Sequence, residues 1–128
     1  MSADGPATAL LHPAHTSGNA ALESWAEWGM DLVAMNAPAL TPEWWVEFRE
    51  VTGVLGCLVE GGADIAQRLL RNGTWDELHV LEAPLTLKQG LGAPAIDRST
   101  ASETAPIGSD VLYVWRHDMN RANRILLA

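Results

Sequence analysis

The stretch that most constrains this chain is Ala37-Pro38-Ala39-Leu40-Thr41-Pro42-Glu43. A residue that precedes proline is pushed out of the α region, so Ala37-Pro38 closes any helix before it. Thr41 is a capping residue, Pro42 suits the first helical position and Glu43 lies near the positive end of the helix dipole, so a new helix opens here. The elements on either side are therefore short and separate.

Upstream, residues 19–36 have helical periodicity. Leu22, Trp25, Ala26, Gly29, Leu32 and Val33 fall on one face, with Glu23, Glu27 and Asp31 opposite. Downstream, Trp44, Phe48, Val51, Leu55, Leu58 and Val59 predict a helix over residues 41–60. Gly53 and Gly56 inside it would each cost about 1 kcal/mol relative to alanine, which implies close approach by another element and a central helix packed on two sides. Gly61-Gly62 breaks the run. Residues 63–72 then form a shorter helix with Ile65, Ala66, Leu69 and Leu70 inward, an Asp64–Arg68 pair outward and Asn72-Gly73 as its stop. Thr74-x-x-Glu77 matches a capping box and predicts a fourth helix up to Pro84. A fifth follows Asp118, with Met119, Ala122, Ile125 and Leu126 apolar and Arg116, Arg121 and Arg124 wet. The passage from Leu58 to His79 resembles one ankyrin unit, but no second copy follows, and one unit cannot bury its own face.

Two strands are expected, a short one at residues 85–87 and a stronger one at 111–115, which is rich in β-branched and aromatic residues. A lone strand is not stable, so 111–115 pairs with 85–87 or with a strand of another chain. Between them residues 89–110 are loaded with Gly, Pro, Ser, Thr and Ala and predict a long loop. Residues 1–18 predict a flexible N-terminal arm. The expected fold is thus mainly α, a single domain over residues 19–128 with four to five helices, a minor C-terminal β element, and a long flexible arm and loop.

Composition narrows the function classes. The chain has 128 residues, 48% hydrophobic and 19% charged, which suits one globular domain. Sixteen acidic residues against eight Lys and Arg give a net charge of −8, which argues against a nucleic-acid partner held by clustered cations. No apolar run approaches the ~18 residues of a membrane span, and no basic residue precedes the apolar run of residues 1–11, so the expectation is no membrane association and a cytoplasmic location, or a particle made there. The single Cys57 excludes an intramolecular disulfide and a cysteine-rich zinc site. His12, His15, His79 and His117 do not form a ligand set, Cys57 sits in an apolar stretch that would raise its pKa, and no phosphate-cradling loop or nucleophile elbow is present. No metal, cofactor or catalytic residue is therefore expected.

Tryptophan dominates the aromatic content, with six Trp against one Tyr and one Phe. Trp25 and Trp44 lie within apolar stripes and are read as core. Trp28 and Trp45 flank those stripes, and Trp115 ends a strand beside Arg116. Nine acidic residues against one Arg occupy residues 1–66, whereas residues 116–128 carry three Arg against one Asp. Indoles are enriched at interface hot spots, so the candidate interface comprises Trp28, Trp45, Trp115, Arg116, Arg121, Arg124, Glu43 and Glu47. The function expected is non-catalytic protein–protein interaction, as a small structural or assembly subunit of a multi-chain complex such as a phage virion, with itself or another protein as partner. The alternative is an acidic inhibitor, of immunity-protein or antitoxin type, for a basic partner; a third reading is a small enzyme with residues 89–110 as its lid.

Overall fold

A computed structural model describes residues 8–117, in which the chain divides between Leu58 and Val59 into two compact units. Each unit is built around its own small sheet.

The first unit runs β1 (Ala9–Pro13), a 3-10 turn (Ala14–Thr16), α1 (Ala20–Glu27), β2 (Asp31–Met35) and α2 (Pro42–Thr52). The two strands pair in parallel, Ala9 opposite Asp31 through Pro13 opposite Met35. Parallel neighbours need a crossover, and α1 supplies it. Asn19 opens α1 by accepting from the Ala21 N–H at 2.8 Å. Thr41 opens α2 by accepting from the Trp44 N–H at 3.3 Å, as the sequence predicts. Both helices pack on β2. The buried residues here are Met35, Trp44 and His12. Trp44 lies flat on Phe48 with centroids 5.4 Å apart. The His12 Nδ1–H donates to the Pro13 carbonyl at 3.0 Å and contacts Thr16 Oγ1 at 3.2 Å, so this histidine is spent on closing the turn.

The second unit runs α3 (Ala63–Asn72), β3 (Glu77–Glu82), a 3-10 turn (Arg98–Thr100), β4 (Glu103–Ile107) and β5 (Asp110–Arg116). The sheet is antiparallel in the order β3-β5-β4. β3 matches Glu77 to Arg116 and Glu82 to Val111, and the Gly108-Ser109 turn joins β4 to β5. Val114 and Trp115 of the central strand are buried. In α3, Arg68 meets Asp64 at 2.9 Å as predicted.

The mainly helical expectation is corrected: the described residues hold three α-helices and five strands in two sheets, a mixed α/β architecture. Three causes account for it. The first helix ends at Glu27, and residues 31–35 give up the helical period to pair with β1, which itself lies in the supposed arm. The residues of the supposed fourth helix alternate, Leu78 and Val80 against Glu77 and His79, and all six pair with β5. The long loop contains β4. Residues 85–87 are not a strand, and the lone strand finds two partners in its own chain. The expected C-terminal helix lies outside the described residues.

The sequence places Gly53 within a long helix, as a site of close approach. It is instead the left-handed stop of α2, with φ 71°, and nothing lies within 4 Å of a Cβ built there. Gly73 ends α3 in the same way, with φ 63°. A side chain in the left-handed region costs about 1–2 kcal/mol. Gly73→Ala is expected to lose about that much stability in urea unfolding, while Gly92→Ala, where φ is not left-handed and space is open, changes it by less than about 0.5 kcal/mol.

Candidate interaction surface

The eight residues singled out from the sequence have separate fates. Trp28 caps the end of α1 and is 73% exposed, edge-on to the partly exposed Trp25 with centroids 5.3 Å apart. Trp25 was expected in the core; α1 is too short to carry its stripe over the sheet, and the indole remains at the surface. The pair forms a small aromatic patch.

Trp45 is half-buried, edge-on to Trp44 and to Phe48, with centroids 4.9 and 5.6 Å away. Its Nε1–H is out of contact with water and has no acceptor among the described residues. A buried donor without an acceptor is costly and calls for an explanation. Trp115 is covered by its own chain. It is 6% exposed, stacks near Tyr113 at 5.9 Å and donates from Nε1 to Thr100 Oγ1 at 3.0 Å.

The charged candidates are mostly occupied within the chain. Glu47 reaches back from α2 to the end of β2. Its carboxylate accepts from the Asn36 N–H at 2.9 and 3.0 Å, the Ala37 N–H at 2.8 Å and the Asn36 side-chain amide at 2.8 Å. These donors, the Ala37 N–H foremost, hold its pKa below the ordinary glutamate range. Glu43 is exposed in the first turn of α2, where its charge faces the positive dipole end. Arg116 ties the three strands together, pairing with Glu77 of β3 at 3.4 Å and with Glu103 of β4. Glu77 also bonds His79, and this bond, with Arg116 behind it, lowers the Glu77 pKa. Arg121 and Arg124 lie outside the described residues. Of the described candidates, Glu47, Trp115 and Arg116 are thus engaged by partners within their own unit.

Among the described residues no group of three or more His, Cys, Asp and Glu side chains is arranged to hold a metal ion, and no helix is long and apolar enough to cross a membrane. No family model, curated protein or solved structure matches the chain.

Sequence reasoning missed two highly exposed apolar residues. Leu55 and Leu58 are 89% and 85% exposed, in residues 54–58 that extend beyond α2 without belonging to any helix or sheet. Cys57, despite its apolar stretch, is exposed in the same segment. On the second sheet Leu81 and Ile107 project from the same face as Glu77 and His79, and both are exposed. The signal was present as an apolar run between Gly53 and Gly61, but a helix extended through Gly53 concealed it.

Two expectations follow. Because the folded-state pKa of Glu47 lies below its unfolded value, its stabilisation is fully present above the unfolded range and is lost as pH falls through the folded value. Carboxyl NMR titration should find Glu47 below the ordinary glutamate range, and Glu47→Gln should flatten the acid limb of the stability curve. Thr100→Val removes the acceptor of the buried Trp115 indole and should cost about 1–3 kcal/mol in urea unfolding.

Proposed function

We propose that this chain is an assembly subunit, a protein whose folded state is completed by another protein chain. The observation that carries the reading is the set of large apolar side chains left open to water, Leu55, Leu58 and Trp28 among them. Single exposed apolar residues are ordinary, but contiguous ones mark contact surfaces. Burying one such side chain contributes about 1.5–3 kcal/mol, while association costs about 4–15 kcal/mol. One residue therefore cannot hold a partner, but three or four covered together, with backbone pairing added, can.

The sheet edges support the same reading. Two-stranded sheets are marginal alone, and parallel sheets are ordinarily buried on both faces. The β1–β2 pair has neither a third strand among the described residues nor a continuous apolar cover. The inhibitor alternative draws no comparable support, because Glu47, one of its acidic contacts, is engaged within the chain.

The test combines light scattering after size exclusion with binding of the dye anilinonaphthalene sulfonate, at tens of micromolar protein. The reading expects either a mass above the 13.8 kDa of one chain, or a monomer that binds the dye through its open apolar surface. A monomer that does not bind the dye contradicts it.

A further inference from the structure

We propose that the partner is a second copy of this chain, and that residues 54–58 of each copy add as a third strand to an open edge of the other copy's β1–β2 sheet. This rests on the assembly reading above and names its partner and contact.

The chain carries two complementary deficits. The parallel sheet has only two strands, so each has an outer edge with no strand beside it among the described residues. Edges of this kind are templates for strand addition. Residues 54–58, Val-Leu-Gly-Cys-Leu, have the composition and length of a strand but belong to no sheet. At five residues they match β1 and β2, each also five residues long. They carry no charge and no proline, and apolar runs bounded by turn residues are the pattern of strands in parallel sheets.

The order of elements fits as well. β1, α1, β2 and α2 alternate, and the element that continues such a series is a strand parallel to the first two. Within one copy the segment stands beyond α2 with Leu55 and Leu58 open, while the sheet it suits stays at two strands. Exchange between two copies fills both deficits at once. It also closes on itself, because each copy donates one segment and receives one, as a two-fold assembly requires. The Gly53 turn that releases the segment from α2 is the natural hinge.

The test compares the native protein with Leu58→Pro and Leu55→Lys by light scattering across a concentration series, with amide hydrogen exchange over residues 54–58. Proline removes a ladder donor, and lysine places a charge on an apolar face. Both positions lie outside every helix and sheet, and circular dichroism checks that each variant is folded. The expected result is a native dimer with slowed exchange at residues 54–58, and dissociation of both variants at concentrations at least about tenfold higher. A dimer that persists unchanged in both variants overturns strand exchange while leaving the assembly reading intact. A native monomer that binds the dye overturns the second copy as partner and leaves that reading to another chain. A native monomer with residues 54–58 protected and no dye binding overturns both.

Discussion

Sheet width is the constraint on which the rest of this structure depends. Among the described residues only β5 has a strand on each side, and of the described elements it alone contributes two buried apolar residues, Val114 and Trp115. Everything around it serves that position. Arg116 is matched by Glu77 on one neighbour and Glu103 on the other, so a single guanidinium spans all three strands. The Trp115 indole, too large to bury with its N–H unsatisfied, is completed by Thr100 from the 3-10 turn just before β4. Exposed ion pairs contribute little each, and their service here is to fix register across the sheet more than to stabilise it.

The first unit solves the same problem with less material. Its sheet has two strands among the described residues, and α1 and α2 both pack on β2. The turn from β2 into α2 is pinned by one carboxylate accepting from two consecutive backbone N–H groups and a side-chain amide, which is why Glu47 cannot serve as an outward contact. What this arrangement leaves over is apolar: Trp25 and Trp28 at the end of α1, and Leu55 and Leu58 beyond α2. On the proposed reading that surplus is the surface by which copies of the chain meet, and the narrowness of the sheet and the exposure of the segment have one cause.

Much of this was legible in the residues where local chemistry decides. Thr41-Pro42-Glu43 opens α2, Gly73 ends α3, Asp64 pairs with Arg68, and residues 110–116 form the strand that the Val, Tyr and Trp content indicates. Trp44 belongs to the core as its stripe requires. Errors arose where pairing between distant residues decided. Asp31 to Met35 satisfies a helical period on paper, yet becomes a strand because Ala9 to Pro13 is available to pair with it. Glu77 to Glu82 follows a capping box, yet β5 claims it. Of the candidate interface, Trp28 keeps its exposure, whereas Trp115, Arg116 and Glu47 are engaged by partners that only the fold could reveal: Thr100, Glu103 and Asn36.

The central claim is that folding and association of this chain are coupled. A protein stabilised by binding its own copies has a melting temperature that depends on concentration by mass action, while that of a self-sufficient monomer does not. Calorimetry of the native chain over about a hundredfold range of concentration tests this most directly. The account predicts a melting temperature that rises steadily with concentration. A melting temperature that stays constant across the range, with reversible two-state unfolding at each concentration, would contradict it.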